Sequence, residues 1–210
     1  LIQAVSEGHG TKVYCYGTSM NIGYQQKWET EDYYNYNVDK AKELLADAGV
    51  TDGSLNLTIL CDNDETRVKI AQVIKLYLAE VGINAEITSF DQALWNTYQT
   101  DPTKFDINIS YNGGWGYITR TWNQLDSTRY EAHNMAMVRD DTLDNLIHTA
   151  QVSQDAADID AAKQYMTENA FHYGLYRKEI YGITSNAKVT EAVYDYRGNL
   201  VPGACTYVWN

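Results

Sequence analysis

The sequence predicts an α/β fold in which helices flank a mostly parallel sheet. From residue 38 to residue 115 the chain reads as helix, strand, helix, strand and strand, followed by a loop rich in glycine, tryptophan and tyrosine. Strands that alternate with helices are typical of βαβ units. Because ligands of open α/β sheets bind at the carboxyl ends of the strands, we expect function first in the loop after Tyr111.

Capping residues and apolar spacing define the first two helices. The first begins at Asn37, a good N-cap, and ends before Gly49, a residue type that commonly follows a helix. The second runs from about Asp64 to Val81 and stops at Gly82. Both helices repeat apolar residues at spacings of three and four, so each has one face that can pack on the sheet.

Three segments alternate apolar and polar residues with the period of a strand. They begin at Leu55, Ile83 and Phe105, and the third extends to Tyr111. Strands buried on both faces usually read as continuous apolar runs. The alternation therefore predicts helices on one face of the sheet, with the other face exposed or covered by a segment such as residues 1–37.

Two more helices and a strand are predicted beyond the aromatic loop. The helices run from Asp140 to about Gln151 and from Asp155 to about Phe171, each with one apolar stripe. Gly174 then precedes a strand that returns towards the start of the fold.

Charge and cysteine content limit the classes of partner. The chain has 210 residues and a formal net charge of −12, so nucleic acid and anionic membrane surfaces would repel it. We therefore expect no nucleic-acid partner. Cys15, Cys61 and Cys205 lack metal-ligand spacing and argue against a disulfide framework, although a Cys15–Cys205 bridge remains open.

Motifs that carry catalysis do not occur in the sequence. It contains no Gly-x-Ser-x-Gly elbow, no phosphate loop and no dinucleotide fingerprint, and its four histidines share no ligand spacing. We predict no catalytic residues, no metal, no cofactor and no enzymatic activity. A fragment of a small α/β hydrolase is the enzymatic alternative.

Aromatic composition instead points to binding. The chain has 18 Tyr and 5 Trp but only 3 Phe, and side chains with a flat apolar face and a polar group suit binding surfaces. The alternative is a loop that packs on its own aromatic residues. The candidate contacts follow the third strand or lie on the returning strand: Tyr111, Trp115, Tyr117, Trp122, Tyr176 and Tyr181.

Three segments carry a resemblance to a known family. They are YNYNVDKAKELLADAGVTDGSLNLTIL, FDINISYNGGWG and ENAFHYGLYRKEIYGIT. The first is similar to an aromatic run followed by Asp-x-x-Lys-Ala-x-x-Leu-Leu-x-x-Ala-Gly and a strand, the second to a strand that enters a Gly-Trp loop, and the third to a segment ending in Pro-Leu-Tyr. Over about residues 20–205 the chain resembles the C-terminal lobe of the family 5 extracellular solute-binding proteins.

The resemblance implies a periplasmic-binding-protein-like lobe of type II. Such receptors have two lobes that close on a solute and deliver it to the permease of an ABC importer. The expected partners are a small peptide or other solute, the missing N-terminal lobe and the permease, in the periplasm or anchored by lipid to the outer face of the membrane. An oligosaccharide receptor of the same family and a protein-interaction domain are the alternatives to an oligopeptide receptor.

The resemblance also divides the chain. It implies an irregular N-terminal segment of residues 1–37 that continues from the missing lobe, an α/β ligand-binding lobe of residues 38–186, and an extended tail of residues 187–210.

Two positions depart from the family pattern. Peptide receptors of the family often place an Asp three residues after the loop Trp, where it pairs with the peptide's amino group; counted from Trp115, that position is Ile118. Asn112 is the alternative equivalent of the loop Trp, so Asn112 and Gly114 join the candidate ligand contacts. Gly174 replaces the Pro of Pro-Leu-Tyr.

Overall fold

A computed structural model describes residues 1–31, 34–111, 116–129, 134–179, 189–193 and 200–207. This part of the chain contains seven α-helices, four short 3-10 helices and seven strands. The helices are α1 (Ile2–Ser6), α2 (Val38–Asp47), α3 (Glu65–Glu80), α4 (Gln92–Tyr98), α5 (Ile118–Thr121), α6 (Asp141–Ser153) and α7 (Ala156–Glu168). The strands are β1 (Gly10–Lys12), β2 (Asn56–Asp62), β3 (Asn84–Phe90), β4 (Ile107–Asn108), β5 (Tyr176–Lys178), β6 (Val189–Glu191) and β7 (Thr206–Tyr207).

A three-stranded parallel sheet with the order β3-β2-β4 organises the first half of the fold. β2 pairs with β3 along its whole length, starting with Asn56 opposite Asn84. β4 pairs with the other side of β2, where Ile59 lies opposite Ile107. Helices α3 and α4 make the crossovers that parallel pairing requires. The predicted α/β class with a mostly parallel sheet is confirmed.

Side-chain caps fix where the long helices begin. The carboxylate of Asp64 accepts hydrogen bonds from two backbone N–H groups of α3, and Asn37, Asp140 and Asp155 each accept one at the start of α2, α6 and α7. These four caps are the predicted helix starts. The end of α7 was predicted too late, because the backbone leaves the helix at Asn169.

Two elements are shorter than their sequence pattern predicts. The strand expected from residue 105 to residue 111 keeps only the two residues of β4, and next to it the side chain of Asp106 accepts a hydrogen bond from the backbone N–H of Thr58. Of the returning strand, β5 covers three residues, and residues 180–188 lie outside the described part.

The first hydrophobic core lies on one face of the sheet. Its buried residues are Ile59, Cys61, Ile70, Ala71 and Ile109. Leu1 and Val5 pack against this same cluster, so α1 lies on the side of α3. The opposite face, which we expected to be exposed or covered by residues 1–37, carries Trp95 of α4, whose indole Nε1 donates to Asn108 Oδ1 at 3.2 Å.

A second hydrophobic core joins the C-terminal helices to the N-terminal segment. Its buried residues are Cys15, Trp28, Ile118, Trp122, Leu125, Leu143, Ile147, Ala150, Ile159, Ala162 and Met166. Residues 26–31 are fastened to α7 by polar contacts: Trp28 Nε1 donates to Asp160 Oδ1 at 2.6 Å, and Lys163 Nζ donates to Glu31 Oε2 at 2.6 Å. Burial would raise the pKa of Asp160, but the hydrogen bonds from Lys27 and Trp28 hold it below its usual value.

The three cysteines are unpaired, so the Cys15–Cys205 bridge is not formed. Burial raises the pKa of the Cys15 thiol to about 12, which keeps it protonated. Among the described residues, no group of three or more His, Cys, Asp or Glu side chains could hold a metal ion. No helix within the described ranges is long and apolar enough to cross a bilayer.

Gly174 lets the segment before β5 approach the segment after β1 closely, next to the antiparallel β1–β5 ribbon. A Cβ at this position would lie 2.7 Å from Val13 Cγ2 and 3.0 Å from the carbonyl oxygen of Cys15. Any side chain, including a proline ring, would force these segments apart. The contact therefore gives a physical reason for glycine at a position where the family pattern has proline.

We expect Gly174→Ala to lower the free energy of unfolding by about 1–3 kcal/mol, the range typical of overpacking. Denaturant unfolding followed by circular dichroism measures the change. Gly203→Ala is the matched control, because no heavy atom lies within 4 Å of the added Cβ. Equal stability of the two variants would contradict the packing argument.

Candidate ligand-binding site

The carboxyl ends of the three parallel strands meet at one edge of the sheet. β2 ends at Asp62, which lies opposite Phe90 at the end of β3. β4 ends at Asn108, opposite Leu60. The chain then continues through Ser110 and Tyr111 along this edge, which is where an open α/β sheet binds its ligands.

A buried ion pair occupies this edge. Asp62 is only 2% exposed, and its carboxylate accepts two hydrogen bonds from Arg67, from Nε at 2.5 Å and from Nη2 at 2.6 Å. Burial would lower the pKa of Arg67, but the hydrogen bonds and charge of Asp62 raise it above its usual value. A bidentate pair fixes the plane of the guanidinium as well as its position.

Tyr111 lies against this guanidinium. The Arg67 Cζ atom is 4.5 Å from the centroid of the Tyr111 ring, within the range of a cation–π contact. The indole of Trp95 is stacked with the same ring at 6.4 Å between centroids and an interplanar angle of 16°. Tyr111 nevertheless remains 56% exposed, so it presents an aromatic surface at the edge of the sheet.

Tyr176 lies on β5 and belongs partly to the first core. Its ring packs against that cluster, and its backbone pairs with Lys12. Burial raises the pKa of its phenol; Asp64 raises it further, and Arg67 opposes the rise. Tyr176 is therefore close enough to Asp64 and Arg67 for their charges to act on its phenol.

Tyr117 is on the surface at the start of α5 and is 45% exposed. Its neighbours hold this turn beside residue 22: the N–H of Ile22 donates to the Gly116 carbonyl at 2.7 Å, and the N–H of Ile118 donates to the Ile22 carbonyl at 2.8 Å. Ile22 is itself 57% exposed. Tyr117 and Ile22 thus form an exposed apolar surface beside the predicted loop.

Trp122 is a core residue. It has no exposed surface, and its Nε1 donates to the backbone carbonyl of Tyr16 at 2.8 Å. A side chain enclosed on all sides has no surface for a solute, so the candidate site does not include it. Ile118, at the position that often carries an Asp in peptide receptors, is likewise completely buried.

The central residues of the predicted loop, Asn112, Gly114 and Trp115, lie outside the described residues, as does Tyr181. Their part in the site stays a prediction. Two cavities within the described residues, of about 40 and 50 Å³, are both lined by Lys12 and Val13 and by none of the candidate contacts. Both are too small for a peptide.

Sequence reasoning did not identify Asp62 and Arg67 as residues of the site. Each carried a usable signal: Asp62 is the carboxylate at the end of a buried strand, and Arg67 follows the N-cap Asp64 by three residues, in the first turn of α3. Trp95, which completes the cluster, is a buried residue with 3% exposure.

Residues 1–136 match the family described as bacterial extracellular solute-binding proteins, family 5 Middle. The chain belongs to this family. Members of family 5 are substrate-binding proteins that are periplasmic or extracellular. The structural neighbours of this chain are substrate-binding proteins too. No match was found among curated proteins.

Solved structures share the fold of this family 5 chain. They include DppA from Helicobacter pylori in complex with the peptide STSA (19% identity, TM-score 0.72, 83% of this chain and 35% of that chain). HbpA2 from Haemophilus parasuis matches with 19% identity and a TM-score of 0.75, over 99% of this chain and 42% of that one. AppA from Bacillus subtilis in complex with a nonapeptide matches with 19% identity and a TM-score of 0.69, over 84% and 38%.

The chain thus spans between 35% and 42% of the length of these three structures. The likeness confirms the periplasmic-binding-protein-like lobe implied by the sequence.

Replacing a core aromatic and a surface aromatic should have opposite consequences for stability. We expect Trp122→Ala to cost about 3–5 kcal/mol of unfolding free energy, because it leaves a large cavity. Tyr117→Ala should change it by less than about 0.5 kcal/mol, as is usual for surface positions. Guanidinium unfolding of both variants measures the difference. A large loss from Tyr117→Ala would assign that side chain to packing.

Proposed function

We propose that the chain is part of the substrate-binding component of an ABC importer, that its solute is a peptide, and that it carries out no chemistry of its own. The observation that carries the proposal is the match of residues 1–136 to family 5. Peptide-bound neighbours of the same fold support a peptide as the solute. An exposed aromatic residue at the carboxyl edge of the sheet, Tyr111, supplies a surface for it.

The proposed contacts surround this edge and the loop that follows it. They are Tyr111, Asn112, Gly114, Trp115, Tyr117 and Tyr176. Tyr111 and Tyr117 are exposed, while Tyr176 is a residue of the β1–β5 ribbon and packs against the first core. We place the amine-anchoring group of the receptor elsewhere, because Ile118 is apolar and buried.

The chain is proposed to form one lobe of a two-lobed receptor that acts outside the cytoplasmic membrane, either in the periplasm or attached by lipid to the outer face. Its length relative to the solved structures supports this division. The remaining partners are the second lobe and the permease. Since a solute must be desolvated from both sides to bind tightly, a single lobe binds weakly.

An oligosaccharide is the second candidate solute. Exposed tyrosine rings such as those of Tyr111 and Tyr117 stack on sugar rings as readily as on peptide side chains. A protein partner for the same surface is the third possibility. Identifying the molecule that the receptor binds distinguishes among a peptide, an oligosaccharide and a protein partner.

The first experiment offers the full-length receptor an equimolar tetrapeptide library and a ladder of malto-oligosaccharides, with native mass spectrometry as the readout. We expect peptide-bound receptor and no sugar adduct, and at least tenfold weaker binding by the 210-residue chain alone. Sugar retention would replace the peptide proposal, and equal affinity of chain and receptor would contradict the two-lobe proposal.

The second experiment tests the loop through Trp115→Ala. Stacked aromatic contacts in a desolvated site contribute about 1–3 kcal/mol, so affinity for the retained peptide should fall by roughly five- to a hundredfold with little change in melting temperature. Leu76→Ala, at a 65% exposed position on α3, is the control. Unchanged affinity with a sharply lowered melting temperature would make Trp115 a packing residue.

A further inference from the structure

We propose that Arg67 and Trp95 are positioning residues that hold the ring of Tyr111 in one orientation, so that it acts as a rigid contact for an apolar or aromatic side chain of the solute. The proposal rests on the peptide-binding function above and assigns roles to two residues that the sequence analysis did not place in the site.

The ring of Tyr111 contacts two side chains, although more than half of the surface of this residue is exposed to solvent. The guanidinium of Arg67 lies 4.5 Å from its centroid and the indole of Trp95 is stacked with it at 16°. An exposed tyrosine without such partners samples several rotamers, and a solute that binds it must immobilise it at an entropic cost. A ring already held by two neighbours avoids most of this cost.

Arg67 is itself immobile for two reasons. Its bidentate hydrogen bonds end on Asp62, a carboxylate with 2% exposure. Turning the guanidinium away would leave that buried charge unpaired, which is strongly unfavourable. In addition, Asp64 caps the first turn of α3 and accepts from the backbone N–H of Arg67, so the backbone beneath the side chain is fixed too.

Trp95 is held in place by its burial and by a hydrogen bond to a residue of β4. It is 3% exposed, and its Nε1 donates to Asn108 Oδ1. Asn108 belongs to β4, three residues before Tyr111, and Trp95 belongs to the helix that follows β3. Arg67 belongs to the helix that follows β2. The helices after β2 and β3 and the segment after β4 therefore meet at one aromatic ring.

The orientation of the ring can be measured without a solute. The chain is labelled with 3-fluorotyrosine, and the fluorine signal of Tyr111 is assigned by its loss in Tyr111→Phe. In the paired variant Asp62→Asn with Arg67→Gln, which removes both buried charges together, and in Trp95→Phe, the signal should sharpen and move towards the value of a mobile ring. Lys104→Gln is the matched control: Lys104 Nζ lies 5.3 Å from the ring of Tyr98, so its loss should leave the Tyr111 signal unchanged.

Affinity then separates positioning from direct contact. In the full-length receptor, with the tetrapeptide retained from the library as probe, each positioning variant should weaken binding by about two- to tenfold, which corresponds to ordering one side chain. The same substitutions made in Tyr111→Ala should change affinity less than twofold. An undiminished loss in that background would mean that Arg67 or Trp95 touches the solute itself and would overturn the proposal.

Two other outcomes are also decisive. If wild-type receptor binds the peptide and Tyr111→Ala does not weaken it, the positioning proposal fails while the proposed function stands. If wild-type receptor binds no peptide, the proposed function fails. An unchanged Tyr111 signal in both positioning variants overturns the proposal whatever the solute. Because Trp95→Phe removes no charge, it remains informative if the paired variant does not fold.

Discussion

In a parallel sheet every strand ends at the same edge. Because β2 lies between β3 and β4 and runs parallel to both, the three strands in the first half of the chain all end at one edge. Its register brings Asp62, Phe90 and Asn108 to one side of the sheet. The crossover helices then start there, with their capped first turns facing the same edge. A buried ion pair, an indole and an exposed tyrosine meet at this edge because parallel pairing places the ends of all three strands there.

A buried ion pair accompanies each hydrophobic core. In the first core Asp62 accepts from Arg67 beside the proposed site; in the second, Lys163, with 2% side-chain exposure, donates to Glu31. Such pairs contribute little net stability once desolvation is counted. Their effect is geometrical: one fixes a guanidinium beneath Tyr111, and the other fixes where residues 26–31 lie on α7.

The sequence was a reliable guide where a short-range rule decides the structure. Capping by Asn37 and Asp64 and the alternation of β2 follow from neighbouring residues, and all were predicted. The site was harder to predict, because Trp122 and Tyr117 are both aromatic residues of one short segment. Only the three-dimensional packing shows that Trp122 lies in the second core while Tyr117 stays exposed. Arg67 was not predicted for the same reason: its role depends on Tyr111, which is 44 positions away in the sequence and follows a different strand.

The hydrogen bond from Trp28 to Asp160 joins residues that are 132 positions apart in the sequence. During synthesis at about 5–20 residues per second, the two partners leave the ribosome on the order of ten seconds apart. Until α7 is complete, Trp28 lacks its partner Asp160 and the α7 residues of the second core, whereas β2, α3, β3 and β4 have already been synthesised. The order of translation therefore favours pairing of the parallel strands before the second core can close.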